Sequence, residues 1–364
     1  MEYTFEITVA GCNARCRHCY VSGGPGSSMP LSDYRACLEK LVPALTRLKG
    51  SVSIAPGHEP FNHEEAAALM RMTHALAPQF YPDAGCDWPT TGIALKSRRD
   101  RADIFALLHG FGAKRLMLTL HGLEECHNEI VRAPHGFEAL CAFADLLHAE
   151  GFEVAFNLML NHRMTEDWDA ICQVLEANRC DAAYLTIPLY LPVARLRKYE
   201  PYYRDTYADC QRLRGRLDRF GIDEAQFFAK VEAFNAAAVR ARALQEGWDY
   251  AAREREKPDW AFFHITEELE FYYGNAGMHT KRLGNIATMT SEEIYEAIRA
   301  QRANYDYSAY YDLKQLPPIS AVLAANPPQE NHVYPDAESC LYRWLDAMGV
   351  PTILLPGPGA LDGA

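Results

Sequence analysis

Three cysteines stand close together near the N-terminus, in the segment GCNARCRHCY at residues 11–20. Cys12, Cys16 and Cys19 are separated by three and then two residues, and the next cysteine is Cys37. Structural zinc and iron–sulfur cubanes usually take four protein ligands. Three thiolates on one loop therefore indicate a cubane with one iron left open for another ligand. The alternative outside catalysis is a scaffold protein in which the same cysteines bind zinc.

The composition limits the class of protein. The chain has 364 residues, 49% of them hydrophobic, 11 cysteines and a formal net charge of −12. An acidic chain disfavours nucleic acid or an anionic membrane as the main partner. The N-terminus lacks a secretory signal, and no apolar run reaches the roughly 18 residues of a membrane span. We therefore expect a protein of a reducing, cytoplasmic compartment, where clustered cysteines bind metal or act in catalysis.

Short apolar runs alternate with helical patterns over the first half of the chain. Such alternation predicts βαβ units and a parallel sheet, with ligands at the carboxyl ends of the strands. Pro43 should kink the first helix. The predicted strands are residues 3–10, 51–55, 86–91, 115–120, 153–160 and 183–189, and the predicted helices are residues 31–49, 63–77, 99–110, 136–150 and 165–178.

The second half has a different pattern. Residues 195–258 are charged, rich in tyrosine and helical in periodicity, and FFHITEELEFYYGN at residues 262–275 predicts a β-hairpin. Residues 291–303 predict a further helix with Ser291 as its N-cap. The tail PGPGALDGA, residues 356–364, is predicted to be mobile.

The Cys-x3-Cys-x2-Cys loop after a first strand, in a βα-repeat chain, resembles that of the radical S-adenosylmethionine (radical SAM) superfamily. The resemblance implies one [4Fe–4S] cluster on Cys12, Cys16 and Cys19, with SAM bound to the open iron. It implies reductive cleavage of SAM to methionine and a 5′-deoxyadenosyl radical, which abstracts hydrogen from a substrate. It also implies an electron donor such as flavodoxin or ferredoxin.

Further segments resemble the SAM-binding motifs of that family, in the family's order. Gly57-His58-Glu59-Pro60 is similar to Gly-Gly-Glu-Pro, which implies that Glu59 meets the SAM amino group. By the same resemblance the backbone of His18 reads the adenine and Arg132 meets the carboxylate. No catalytic acid or base is identified. The SAM contacts implied in this way are His18, Tyr20, Gly57, Glu59, Pro60, Thr90, Thr91, Thr119, His121, Arg132, Asn157 and Asn161.

Residues 264–298 resemble the SPASM/twitch extension of some family members, notably at Leu283-Gly284-Asn285-Ile286. The cysteine of that extension, expected near Gly274 or Asn275, is absent, and only Cys210 and Cys340 follow residue 200. Two thiolates cannot hold the auxiliary clusters. The predicted architecture is α/β: a partial (β/α)6 TIM-like barrel at residues 1–194, a helical insert at 195–258, a cluster-free α+β twitch-like cap over the barrel mouth at 259–316, and a C-terminal extension at 317–364.

The expected substrate is a small biosynthetic metabolite. The first strand begins near residue 3, so no N-terminal leader-binding domain is expected. Rearrangement, epimerisation, and C–S or C–C bond formation stay open as reactions. Two alternatives remain within the family resemblance: a peptide- or protein-modifying enzyme with a separate recognition partner, and an enzyme that uses SAM itself as a group donor.

Overall fold

The computed structural model describes residues 1–19, 23–26, 28–80, 88–192, 194–250, 252–253, 260–276, 279–301, 310–327 and 331–355. The predicted SAM contact Tyr20, the start of the predicted strand at residues 86–87 and the tail at 356–364 lie outside the described residues.

The described strands form two sheets. One has the order β2-β1-β7-β8-β9 and the other β3-β4-β5-β6. The pairs β1–β2, β1–β7, β3–β4, β4–β5 and β5–β6 are parallel, whereas β7–β8 and β8–β9 are antiparallel. The strands are β1 Glu2–Ala10, β2 Ser51–His58, β3 Trp88–Thr90, β4 Arg115–Leu120, β5 Glu153–Met159, β6 Ala182–Thr186, β7 Trp260–Ile265, β8 Glu270–Tyr273 and β9 Lys281–Asn285.

Helices follow most of the parallel strands, as the alternating pattern predicts. They are α1 Leu31–Leu45, α2 Ala66–Leu76, α3 Ile93–Ser97, α4 Arg101–Gly110, α5 Glu124–Val131, α6 Gly136–Ala149, α7 His162–Glu166, α8 Trp168–Ala177, α9 Ala194–Tyr203, α10 Tyr207–Gln211, α11 Glu224–Phe234, α12 Ala236–Glu246, α13 Ser291–Arg299, α14 Ile319–Ala325 and α15 Ala337–Ala347. The predicted α/β class with parallel strands is confirmed.

Several predicted ends were wrong. The first helix ends at Leu45 rather than at residue 49. Pro43 lies two residues before this end, and its ring removes a backbone N–H donor and crowds the preceding turn, which disfavours a longer helix. Strand β6 ends at Thr186 rather than residue 189, just before Pro188. Strand β2 instead continues past residue 55 to His58, because its pairing with β1 extends that far.

Strand β1 lies between β2 and β7 in the five-stranded sheet and has two different faces. Phe5, Ile7 and Val9 point to one side and are fully buried against α1 and its neighbours. Glu6 and Thr8 alternate with them and point to the opposite, inner side. Because alternate side chains of a strand point to opposite sides, the apolar residues of β1 face the core and the polar residues face the barrel interior.

The hairpin within the predicted cap at residues 259–316 extends the five-stranded sheet. Strand β7 joins the barrel sheet directly and pairs in parallel with β1 from Glu2↔Trp260 to Ile7↔Ile265. Helix α13 packs on α1, and Lys40 Nζ donates to Ile286 O at 2.9 Å. Pairing with β7 satisfies the backbone of β1 and adds to its core. A role of this region as a cap over the barrel mouth stays a prediction.

The predicted N-cap of α13 also needs correction. The cap is Thr290, and Ser291 is the first helical residue. Thr290 Oγ1 accepts from Glu293 N at 3.2 Å, while Thr290 N donates to the Glu293 carboxylate at 2.8 Å. Thr-x-x-Glu is a capping box, in which the two side chains accept from each other's backbone N–H groups and so satisfy two donors. As the cap, Ser291 would satisfy one.

The insert and the C-terminal extension share a third hydrophobic core. Tyr190, Leu196 and Val239 pack with Val322 and Leu341 in one buried cluster. In the part of the chain that the structure describes, no helix is long and apolar enough to span a membrane. The division of the chain into four domains stays a prediction.

Candidate functional site

The cysteine loop leaves β1 and lies against the end of helix α5. Arg15 N donates to Val131 O at 3.1 Å, and Arg17 N donates to Ile130 O at 2.8 Å. These carbonyls belong to the last turn of α5, where backbone acceptors have no helical donor. The backbone N–H groups of the loop therefore satisfy the last carbonyl groups of α5, and these hydrogen bonds hold the loop against the helix.

Backbone N–H groups point at two of the three cysteine sulfurs. Ala14 N donates to Cys12 Sγ at 3.4 Å, and Gly23 N donates to Cys19 Sγ at 3.2 Å. A Cβ on Gly23 would lie 3.4 Å from Cys19 Sγ and 3.5 Å from Cys12 Cβ, so both side chains turn towards the same point. Amide donors stabilise thiolates and tune the potential of clusters bound by them. The donor set formed with Cys16 therefore fits an iron–sulfur cluster.

Glu59 lies at the junction of the two sheets. Its side chain is 2% exposed, and its carboxylate accepts from Thr91 N at 2.7 Å and from Thr90 Oγ1 at 3.0 and 3.1 Å. Burial raises the pKa of Glu59, and the hydrogen bonds from Thr91 and Thr90 act in the opposite direction. Since β2 and β3 are edge strands of separate sheets, these hydrogen bonds join the two sheets at the site.

Three histidines stand beside the cysteine loop. The ring centroids of His18 and His121 are 4.5 Å apart, and those of His121 and His127 are 5.5 Å apart. Burial lowers the pKa of His18 and of His127 to about 4 and that of His121 well below its ordinary value. All three imidazoles are therefore neutral near pH 7.

The site contains buried polar atoms that make no hydrogen bond within the described part of the chain. Within the described residues, His18 Nδ1, His121 Nδ1 and Thr91 Oγ1 are buried without a hydrogen-bond partner. Buried polar groups in native proteins are almost always paired, so atoms of this kind indicate a ligand. Cys16 Sγ also lies within 4.8 Å of ligand nitrogens of His18 and His121, a donor set that zinc would accept as well.

A cavity of about 200 Å³ brings the cysteine loop and the ends of strands together. Its walls contain Cys12, Cys16 and six of the predicted SAM contacts, joined by the unpredicted His127. The lining residues are Cys12, Ala14, Cys16, His18, Glu59, Thr90, Thr91, Ile93, Thr119, His121, His127, Val131 and Leu140. The cavity lies at the carboxyl ends of the parallel strands, where ligands of such sheets bind.

Other predicted SAM contacts lie outside that lining. Asn161 is fully buried, donates to His121 O at 2.8 Å and accepts from Met164 N as the N-cap of α7, so it positions His121. Asn157 Oδ1 accepts from Thr186 Oγ1 at 2.6 Å. Arg132 ends α5 with a left-handed φ of 55° and is exposed.

Two predicted contacts have backbone roles in the structure. Pro60 opens the short 3-10 helix Pro60–Asn62 directly after Glu59. Gly57 pairs with Thr8 and leaves room for Glu6, because a Cβ there would lie 2.9 Å from Glu6 Cγ and 3.2 Å from Glu6 Oε1. The binding roles of these residues stay predictions.

Sequence reasoning missed Glu6 and His127. Glu6 is a charged residue between the buried Phe5 and Ile7 of a strand. That pattern could have indicated a carboxylate on the inner face of the sheet. His127 lies on α5, and nothing in its local sequence distinguished it from an ordinary helical residue. Its place in the cavity wall comes from the packing of α5 against the cysteine loop.

Comparison with known proteins identifies the family. Residues 7–175 match the family model described as the Radical SAM superfamily, and no curated protein matches the chain. The chain resembles the solved structure of a histidine-tagged anSMEcpe with bound AdoMet, with 17% identity and a TM-score of 0.52, over 81% of this chain and 80% of that chain. The same identity and coverage, with a TM-score of 0.51, hold for native anSMEcpe with bound AdoMet and a peptide.

A third solved structure, "Crystal structure of Streptococcus suis SuiB bound to precursor peptide SuiA", has 14% identity and a TM-score of 0.47, over 82% of this chain and 67% of that chain. At such identities the likeness to anSMEcpe is one of fold. The family match covers the end of β1, the cysteine loop and the strand ends that form the cavity. Residues 7–175 therefore belong to the radical SAM superfamily, whose enzymes use a [4Fe–4S] cluster and SAM.

Proposed function

We propose that Cys12, Cys16 and Cys19 hold a single [4Fe–4S] cluster and that the enzyme abstracts hydrogen from a small biosynthetic metabolite. The observation that carries the proposal is the convergence of the cysteine loop and the buried Glu59 on one cavity. When bound, the cluster supplies the electron that breaks the C5′–S bond of SAM and yields methionine and the 5′-deoxyadenosyl radical. Flavodoxin or ferredoxin is the proposed electron donor.

The residues around the cavity bind and orient SAM in this proposal. Glu59 receives the SAM ammonium group, which offsets the cost of burying the carboxylate and favours its ionised form. Thr90 and Thr91 hold that carboxylate in one orientation. The neutral His18 and His121 offer ring nitrogens to polar groups of SAM without placing a positive charge beside its sulfonium.

The test is anaerobic reconstitution followed by incubation with SAM and dithionite. We expect about four irons per chain and release of 5′-deoxyadenosine, read by mass spectrometry. Cys16→Ala should abolish both while leaving the helical circular dichroism intact, since the half-exposed Cys16 lies on a loop outside the cores. Cys141→Ala, which changes a half-buried cysteine on α6, is the matched control and should retain both.

Other outcomes would reject parts of the proposal. Zinc in place of iron, with SAM left intact, would identify the cysteine loop as structural. A SAM fragment other than 5′-deoxyadenosine would indicate that SAM is a group donor. About eight irons per chain would mean a second cluster.

A second candidate function, modification of a peptide, has one supporting observation. A groove of about 460 Å³ follows β6, the edge strand of the four-stranded sheet among the described residues, and contains the exposed Tyr184 and Leu189. An extended peptide adds to an edge strand through main-chain hydrogen bonds. The two functions are distinguished by which fraction of a cell extract, small metabolites or peptides, accelerates 5′-deoxyadenosine release.

A further inference from the structure

The inner face of the five-stranded sheet carries a polar cluster that the proposed SAM site leaves unused. The outward residues of β1, β7 and β8 are apolar and belong to the core under α1. On the inner face, Glu6 is paired in register with His264, and His264 with Tyr272. Neighbouring strands are about 4.8 Å apart, so these side chains and that of Thr8 form one patch.

A chain of hydrogen bonds runs through this patch. Thr8 Oγ1 and His264 Nε2 are 2.7 Å apart, and His264 Nδ1 and His279 Nε2 are 2.6 Å apart. The Tyr272 ring stacks on His279 with centroids separated by 4.0 Å. Burial lowers the pKa of His279 to about 4. These side chains therefore form a hydrogen-bonded wall with well-defined orientations, in which His279 is uncharged near pH 7.

Glu6 stands beside that wall and lacks a positive partner in the described part of the chain. Its Oε2 accepts from Ala276 N at 3.1 Å, and burial raises its pKa. The side chain nevertheless keeps partial solvent accessibility. Enclosing an uncompensated carboxylate is unfavourable, which indicates that a ligand supplies the missing charge.

Glu6 also lies against the strand segment that leads to Glu59. Its Oε1 lies 3.2 Å from the position that a Cβ of Gly57 would occupy, and Gly57 precedes Glu59 by two residues on the same chain segment. Two residues of extended chain span about 7 Å, so a group bound to Glu6 would lie within about that distance of the segment that carries Glu59. A substrate held there would be near SAM in the proposed site.

We propose that Glu6, beside the Thr8–His264–His279 chain, is a subsite for a primary ammonium group of the substrate. The assignment rests on the proposed function and names a substrate class within it: metabolites with a primary amine. An ammonium group brings one positive charge and three N–H donors, which match a carboxylate without a cationic partner in the described residues and a neighbouring hydrogen-bonded wall. SAM also carries a primary ammonium, so the test separates the two sources.

The probe is methylammonium chloride, added to the anaerobically reconstituted holoenzyme and observed by saturation-transfer NMR of its methyl protons. We expect a signal that saturates with concentration, and none from sodium acetate. Glu6→Gln, which keeps an acceptor for Ala276 N–H, should weaken binding roughly tenfold. Glu2→Gln, the same change at an exposed position of the same strand, should leave binding unchanged. Glu6→Asp should bind more tightly than Glu6→Gln if the charge matters.

Saturating SAM then identifies the source of the ammonium group. A methylammonium signal that persists supports a substrate subsite, whereas its displacement would assign Glu6 to SAM and overturn the proposal. Equal binding by Glu6→Gln and the unchanged chain, or no saturable binding, would also overturn it. These readouts need no turnover. Failure to release 5′-deoxyadenosine would therefore count against the proposed function and leave the methylammonium result interpretable.

Discussion

Asp205 shows at the scale of one residue how an unfavourable buried group can support the site. Its side chain is buried, Oδ1 accepts from Thr165 Oγ1 at 2.5 Å, and Oδ2 has no partner in the described residues. Thr165 Oγ1 also lies 3.2 Å from Asn161 O, and Asn161 donates to His121 O. Asp205 thus orders a chain of hydrogen bonds that ends at the cavity wall.

Burial raises the pKa of Asp205 from its ordinary value of 3.8 to about 8. Because the folded state holds this proton more tightly, the contribution of Asp205 to stability is highest at low pH. It falls by roughly 1.4 kcal/mol per pH unit between the two pKa values. Asp205→Asn removes the titration, so its melting temperature should exceed that of the unchanged chain by an amount that grows from pH 5 to pH 8. Asp218→Asn, at an exposed position, is the control. Parallel pH curves for Asp205→Asn and the unchanged chain would contradict this account.

At the scale of one element, the cysteine loop depends on a glycine at its start. A Cβ on Gly11 would lie 2.3 Å from Gly26 N and 2.6 Å from Gly24 O. Both atoms are backbone, so the loop must move to admit a methyl group. We expect Gly11→Ala to fold with its cores intact and to lose most of its cluster iron, measured as iron per chain beside circular dichroism. In Gly110→Ala, where nothing lies within 4 Å of the new methyl, iron should be unchanged. Full iron in Gly11→Ala would show that the loop tolerates the shift.

At the scale of the whole molecule, a buried arginine joins the insert to the rest of the chain. Arg204 pairs with Glu200 at 2.8 Å and also donates to the carbonyls of Pro188 and Val333. Arg204→Met leaves a buried carboxylate and several acceptors unpaired, and we expect a loss of about 3–5 kcal/mol in the free energy of unfolding. Urea denaturation measures the loss. Adding Glu200→Gln to that variant should recover part of it.

Arg214→Met provides the matched control for that prediction. Arg214 pairs with Glu232 at 2.9 Å, but both side chains are about half exposed. Exposed pairs contribute 0–1 kcal/mol or so. A similar loss in the two variants would mean that burial of Arg204 does not govern its contribution.

The sequence alone predicted the features that depend on neighbouring residues. The spacing of Cys12, Cys16 and Cys19 and the alternation of β1 follow from a few consecutive residues, because a short loop can surround one cluster and side chains of a strand alternate in direction. The same holds for Glu59 directly after β2. For this reason the barrel strands and much of the cavity wall were predictable from the sequence.

Only the tertiary structure decided which distant segments meet. The pairing of β7 with β1, the hydrogen bond between His264 and Thr8, and the space that Gly57 leaves for Glu6 all join residues far apart in the chain. Periodicity shows that a strand has an inner face, but the choice of neighbour depends on which surfaces are buried together. The cysteine loop and its chemistry were therefore determined by the sequence, whereas the polar inner wall beside it was decided by long-range packing.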